Sequence, residues 1–302
     1  MNSIDGIILA DKNEGETSFD VVRRVKKAFA RKKIGHAGTL DPFATGLLII
    51  LLGQGTKLSD YLMSGEKKYL ATMTLGIATD TLDRTGRIVG TMVVPDVDQE
   101  EIRCAVQGFT GDIAQRPPAY SAININGRRA YELARQGIAV DLKKRIVNIR
   151  SINVISVSLP DVTFDVTCSS GTYVRTLAAD IAERLGSAGH LKSLRRLSSG
   201  GFDVRHALDS RMIGAGVEGD DLTGRIISLK DALPDMRECS IDHETSQKVM
   251  NGLRPGMDKL AIPDDFKGFI KLTDGSSLVA VIEVDRRSRD AETWLKKIRV
   301  FT

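Results

Sequence analysis

Between Leu40 and Pro42 the chain places a single carboxylate, Asp41, just ahead of the apolar run Leu47-Leu48-Ile49-Ile50-Leu51-Leu52. An Asp followed by Pro is ordinarily a turn residue, because the proline ring fixes φ and removes a backbone donor. Its neighbours suggest more than a turn. Gly35, Gly38 and Gly46 let backbone approach a bulky ligand closely, and His36 offers a flat polar ring nearby. A carboxylate held against such a strand can act as a nucleophile or as a base. A second group lies in CSSGTYVRTLAADIAERLG, where Tyr173 and Arg175 stand two apart at an expected strand end and so share one face. An Arg there can pair with a buried carboxylate and hold it ionised, although a surface Arg beside a packed Tyr is the plainer reading. Tyr69 opens the segment KYLATMTLG, where core or edge packing is the ordinary role of a strand Tyr. The sequence holds no Ser-His-Asp or Cys-His arrangement, nucleotide-hydrolase phosphate loop or His/Cys cluster at recognisable spacing, and its four histidines are scattered. One carboxylate working without metal or cofactor is the chemistry this leaves.

The elements that must position these groups can be read from periodicity. Gly6 to Ala10 is a short buried strand, and Thr17-Ser18 caps a helix over Phe19 to Ala30. Leu47 to Leu52, Lys68 to Gly76, Ile88 to Val94, Ile146 to Leu159 and Val162 to Ser169 read as strands. Asp98 to Gly108, Ala130 to Gln136 and Val174 to Leu185 read as helices. Long strands of antiparallel character with interspersed helices predict an α+β fold, a mixed and largely antiparallel central sheet flanked by helices. After GAGVEGDDLTG the texture changes to one helix (His243 to Met250) and three short strands (Phe269 to Leu272, Leu278 to Val284, Lys297 to Phe301). This predicts a domain of residues 1–234 followed by a small β-rich domain of residues 235–302.

With 42% hydrophobic and 27% charged residues, the 302-residue chain has ample material for a core and no signature of disorder. No apolar run approaches the ~18 residues a membrane helix needs, and the N-terminus has no secretory pattern. Three widely spaced cysteines (Cys104, Cys168, Cys239) suggest free thiols rather than a disulfide framework. A cytoplasmic protein with no membrane partner is expected. The net charge of +4 says little by itself. Local clusters say more: Arg23, Arg24, Lys26, Lys27, Arg31, Lys32 and Lys33 in and just after the first helix, Lys143-Lys144-Arg145, Lys192 with Arg195-Arg196, and Arg286, Arg287, Arg289, Lys296, Lys297 and Arg299 near the end. Each is either a solvated face or a set of phosphate contacts.

GHAGTLDPFATGLL resembles the active-site motif of the bacterial tRNA pseudouridine-55 synthases, the TruB family. It does not stand alone. ADKNEGETSFDVV, KKYLATMTLGIATDTLDRTGRIV, QRPPAYSAININGRRAYELARQG and SSGTYVRTLAADIAERLGSAGHLKSLRRLSSGGF are similar to further family segments in the same order, spanning residues 6 to 205. The last module resembles a PUA-type RNA-binding domain. The resemblance implies a pseudouridine synthase fold and isomerisation of uridine 55 in the T loop of tRNA, with no cofactor or metal. It implies Asp41 as the catalytic carboxylate, Tyr69 as the aromatic stacked on the target uracil, and Arg175 as its salt-bridge partner. His36 is implied to lie against displaced nucleotides, Asp83 to hold the flipped nucleotide or its loop, and Tyr173 and Leu194 to line the uridine pocket. The implied partner is the T-arm stem-loop, met by a monomer with no obligate protein partner, and a second role in tRNA folding stays open. Two positions depart from the pattern: Asn13 stands where Pro is usual, predicting a less rigid loop, and Asn124 where Lys is common.

Overall fold

The computed structural model describes residues 4–30, 33–125, 127–217, 219–256, 259–263, 265–285 and 294–301. Strand β1 (Gly6–Lys12) leads into helix α1 (Ser18–Ala28). Thr17 caps that helix: its side chain accepts from the Asp20 backbone N–H, and the Asp20 carboxylate accepts from the Thr17 N–H. Val21, Val22 and Val25 face the core, leaving the basic residues outside. A hairpin of β2 (Ile34–Ala37) and β3 (Thr45–Leu52) follows, then α2 (Ser59–Ser64), β4 (Lys67–Leu75) and a small ribbon of β5 (Ile77–Thr79) and β6 (Ile88–Thr91). Next come α3 (Gln99–Gln107), β7 (Gly111–Gln115), the ribbon β8 (Asn124–Ile125) and β9 (Arg128–Arg129), and α4 (Ala130–Arg135). Then β10 (Arg145–Ser158) and β11 (Asp161–Cys168) lead to α5 (Val174–Arg184), β12 (Gly189–Ser199), β13 (Phe202–Asp203), β14 (Leu208–Asp209) and α6 (Gly219–Thr223).

The main sheet runs β14-β1-β3-β12-β4-β11-β10-β7, with β2 added to β3 and β13 to β12. Only β1–β14 and β3–β12 pair in parallel, so the predicted largely antiparallel mixed sheet is what forms. One core lies between α5 and the central strands, with Phe164, Val166, Leu177, Ile181 and Leu191 at its centre. Its burial leaves β3 apolar on both faces: Leu47 to Leu52 are all 2% exposed or less.

Two expectations needed correction. The predicted strand Ile88 to Val94 stops at Thr91 and lies at the surface: Ile88 and Val89 are each 64% exposed, because β6 pairs only with β5 and no layer covers it. Tyr173 and Arg175 do not share a strand face, since β11 ends at Cys168 and Arg175 belongs to α5, with Tyr173 as its N-cap residue.

The chain then forms a second sheet, β15-β16-β17-β18, from β15 (Arg237–Ser240), β16 (Lys267–Asp274), β17 (Ser277–Asp285) and β18 (Leu295–Val300), with α7 (His243–Met250) packed on it. It rests on the segment 53–64 of the main body. Lys57 donates to the Val300 carbonyl (2.8 Å), Arg299 donates to the Lys57 carbonyl (2.5 Å), and Tyr61 meets Phe269 edge-on with ring centroids 5.2 Å apart. Leu278, Val281 and Phe301 share a core with Ile7, Leu51 and Leu58, so the two sheets pack as one body.

Candidate active site

Asp41 sits in the loop joining β2 to β3, and the loop is anchored on both sides of it. Leu40 and Phe43, on either side of the Asp41-Pro42 pair, are buried in the main core. Ser18 at the start of α1 accepts from the Leu40 N–H (2.9 Å) and donates to the Leu40 carbonyl (3.2 Å). The Pro42 carbonyl accepts from the Gly15 N–H (2.9 Å) and from the Lys12 ammonium (3.3 Å). Lys12 is fully buried and also donates to the Asn13 and Glu16 carbonyls. Burial pulls its pKa down to about 8, against the opposing pull of Glu16 and Asp41. Gly46 has φ of 103°, and a Cβ there would lie 2.3 Å from the Arg196 carbonyl oxygen, so β12 can close onto β3 only at a glycine.

Arg175, on the first turn of α5, reaches this loop from below. Its Nε lies 2.9 Å from Asp41 Oδ2 and its Nη2 3.4 Å from Oδ1, a two-pronged ion pair. The remaining donors go to the Thr81 carbonyl (2.8 Å), the Tyr120 carbonyl (2.9 Å) and Asp83 Oδ2 (3.6 Å). One guanidinium therefore joins the Asp41 loop to the loop of Asp83 and to the segment beginning after β7. Arg175 and Asp83 are 5% exposed in their side chains, whereas Asp41 keeps 35%. Its surroundings are otherwise dry enough that burial pushes the Asp41 carboxyl above its usual range. Arg175 opposes that rise without cancelling it, Asp83 adds to it and Lys12 opposes it.

Asp83 caps its own loop. One oxygen accepts from the Thr81 hydroxyl (2.9 Å), the Thr85 N–H (2.9 Å) and the Thr85 hydroxyl (2.6 Å), leaving the other for Arg175. Tyr69 lies on β4 opposite Arg196 of β12, with Leu194 opposite Ala71 on the same face. Tyr69 and Leu194 belong to the core that also holds Leu40 and Phe43. Burial pushes the Tyr69 phenol up, opposed by Arg196. The Tyr173 backbone is clamped by the fully buried Gln115 side chain, which donates to its carbonyl (3.1 Å) and accepts from its N–H (2.7 Å); Arg145 lies over its ring at 4.8 Å.

His36 stands on β2 opposite Ile50, in the hairpin that carries Asp41. Its Nδ1 is buried without a partner, and burial pulls the ring's pKa down, keeping it neutral. Among the described residues no hydrogen bond joins it to Asp41. Nor do those residues contain a group of three His, Cys, Asp or Glu placed to hold a metal ion, and none of their helices is long and apolar enough to cross a membrane.

The structure thus brings Asp41, Arg175 and Asp83 into direct contact and sets Tyr69, Leu194 and Tyr173 on the elements around them. Sequence reasoning missed Lys12 and Gln115. A lysine ending a buried strand was a readable oddity; a lone Gln at a strand end carried no signal. Arg196 was expected among phosphate contacts and is instead 2% exposed, turned into the protein. Asn13 does not loosen its loop, because its amide and side chain bond to Glu16, Asp209 and Ser210. Asn124 accepts from the Gly127 N–H (2.8 Å) and closes the β8–β9 turn. Arg24 is tied to Glu16, Arg195 to Asp11 and Arg299 to Asp60, whereas Arg31, Lys32, Arg286, Arg287 and Arg289 lie outside the described residues.

The chain is similar over nearly its full length to a chain in the crystal structure of a Cbf5-Nop10-Gar1 complex, with TM-score 0.77, 24% identity, and coverage of 99% of this chain and 86% of that one. A structure of an H/ACA RNP bound to a substrate RNA containing 2′-deoxyuridine matches with TM-score 0.74, 22% identity and the same coverage. These likenesses define the fold. The model of the TruB family pseudouridylate synthase N-terminal domain matches residues 26–174. The tRNA pseudouridine synthase B of Syntrophus aciditrophicus is 43% identical over 283 residues, covering 92% of this chain and 90% of that protein. That of Syntrophotalea carbinolica is 37% identical over 301 residues, covering 99% and 98%. The chain belongs to the TruB family.

Proposed function

We propose that this protein converts the uridine at position 55 in the T loop of tRNA to pseudouridine, with Asp41 as its catalytic carboxylate. The observation that carries the reading is the ion pair of Asp41 with the buried Arg175, at 2.9 Å, in a loop pinned on both sides. Family membership and relatives named tRNA pseudouridine synthase B support the substrate class. The target base is stacked inside the folded loop and must be extruded, which takes a few kcal/mol. Stacking on an aromatic returns about 1–3 kcal/mol per base, the role assigned here to Tyr69, with Leu194 and Tyr173 lining the pocket. His36, neutral and with one buried nitrogen unpartnered, is assigned to the nucleotides left behind.

Once the base is enclosed, Asp41 acts on the ribose–base unit as nucleophile or as base. The C1′–N1 bond breaks, uracil turns in place, and C5 joins C1′. Reactant and product have the same atoms and electrons, so the chemistry calls for no redox partner. Arg175 holds the carboxylate in line and favours its charged form, while Asp83 fixes Arg175 from the opposite side. Residues 235–302 form a second, PUA-like RNA-binding domain in this reading, following a catalytic domain of residues 1–234. The outward face of α1 and Lys143-Lys144 supply phosphate contacts. The protein works in the cytoplasm as a monomer, without an obligate protein partner.

The test is nucleotide-resolution mapping of pseudouridine in unmodified tRNA treated with the purified chain. Modification confined to position 55 is expected; an unmodified tRNA, or modification elsewhere, would count against the assignment.

A further inference from the structure

Arg196 is the largest side chain among those fully buried, and its charge is unmatched. Its Nε donates to the Leu47 carbonyl (2.6 Å) and its Nη2 to the Gly38 carbonyl (3.0 Å). Among the described residues no carboxylate forms an ion pair with it. Two carbonyls accept from it, and it also favours the charged form of the Tyr69 phenol, but neither contact neutralises a cation removed from water, and an unpaired buried charge is one of the larger penalties a fold can carry. Nearby groups register the positive field: it helps pull the Lys12, Lys67 and His36 pKa values down and opposes the rise of the Tyr69 phenol. The position is specific. Arg196 pairs across the sheet with Tyr69 on one side and Gly46 on the other, and shares a face with Leu194. Its side chain reaches the backbone of Gly38, within the loop that carries Asp41.

We infer that the buried charge of Arg196, opposite Tyr69 in the sheet and on the strand face of Leu194, stabilises the uracil anion formed when the glycosidic bond breaks. The inference rests on the proposed isomerisation. In that reaction the electron pair of the C1′–N1 bond stays on N1, and uracil separates as an anion. The deficit at C1′ is met by an Asp41 oxygen, or by loss of a 2′ proton to it. C5 then gives its pair to C1′ as the bond to the Asp41 oxygen breaks or as Asp41 returns the 2′ proton, the C5 proton leaves, and N1 takes up a proton. Negative charge exists on the detached base only between these two steps. A fixed cation in a dry floor favours that interval over the bound substrate.

The test compares single-turnover rates and affinities of wild type, Arg196→Gln and Arg196→Lys on a T-arm stem-loop with uridine or 5-fluorouridine at the target position. Fluorine makes the departing base a weaker base, so cleavage then needs less help; because C5 then carries no proton to lose, the rate on both substrates is read as loss of the N1-linked nucleotide. Arg196→Gln is expected to lose about 10²-fold in rate on uridine, in the range found for removal of one fixed electrostatic donor, with affinity unchanged. Its deficit relative to wild type should shrink on 5-fluorouridine. Arg196→Lys, which keeps the charge and gives up the fork, should retain most of the rate. Equal losses in the Gln and Lys variants, or the same Gln deficit on both substrates, would overturn the inference in favour of a purely structural clamp. If the Gln variant does not fold, a folded Lys variant with a large rate loss would do the same. Wild type on uridine is the internal control: no turnover there would strike the proposed function rather than this inference.

Discussion

Replacing Arg175 with Met removes the guanidinium while keeping the length of the side chain in α5, and the contacts allow the consequence to be worked through. Five contacts go at once: two to Asp41 (2.9 and 3.4 Å), one to Asp83 (3.6 Å), and one each to the Thr81 and Tyr120 carbonyls (2.8 and 2.9 Å). Asp83 is the partner that matters for stability, being 5% exposed, whereas Asp41 is 35% exposed and its share is screened by water. Breaking a buried pair by removing one partner destabilises by about 3–5 kcal/mol. Asp83 keeps three hydrogen bonds on its other oxygen, which puts the expected loss near about 3 kcal/mol, the lower end of that range. Asp41 and Asp83 would then lose the cation they share, leaving Lys12 alone to oppose the rise at Asp41. Among the described residues Asp41 has no other hydrogen-bond donor, so it is the one that takes a proton. Its pKa, already raised by burial, should rise further. Urea unfolding reads the first effect and the acid limb of the single-turnover pH–rate profile reads the second, with a shift of at least about one unit corresponding to ~1.4 kcal/mol. Stability within about 0.5 kcal/mol of wild type, the range of ordinary surface substitutions, together with an unmoved acid limb, would refute the reasoning.

Two further outcomes follow from the same contacts. Lys67 is buried, donates to the Met63 and Gly65 carbonyls, and has its pKa pulled from 10.5 to about 8 by burial and then by Arg196. Its folded value lies below its unfolded one, so the unfolded chain binds more protons between pH 8 and 10.5, and this residue makes stability rise with pH across that window. Lys67→Met should lack that rise, a difference of about 3 kcal/mol at most between neutral and high pH, and parallel pH curves for the two proteins would contradict it. Lys26→Glu with Lys27→Glu on the outward face of α1 should weaken tRNA binding and flatten the plot of log affinity against log salt by ~0.9 per lost phosphate contact; an unchanged slope would make that face merely solvated.

Much of the site was legible because its residues are local in sequence. Asp41, its flanking Leu40 and Pro42, and the glycines that shape the loop lie within a dozen positions, and the alternating strand of Tyr69 ends where it was expected. What was not legible depends on long-range pairing. Strand β12 went unread because Lys192, Arg195 and Arg196 break its apolar pattern, yet it lies between β3 and β4 at the centre of the sheet. Nothing in LKSLRRLSS says that Arg195 ends on Asp11 while Arg196 turns inward to Leu47 and Gly38. Arg175 was read both at a strand end, sharing a face with Tyr173, and at the start of the helix Val174 to Leu185; the helix is the reading that holds. What the sequence did not carry is the clamp of Gln115 on the Tyr173 backbone, a contact 58 residues apart in the chain. The β5–β6 ribbon shows the opposite failure: a strong strand pattern in Ile88-Val89 that no second layer covers.

The account depends most on the carboxylate at position 41, and Asp41→Asn tests it with almost no change of shape. Single-turnover isomerisation of a T-arm stem-loop, measured beside its dissociation constant for tRNA, should show no product above background with affinity within a few-fold of wild type, because phosphate contacts rather than this side chain set binding. Product formed at the wild-type rate would contradict the account.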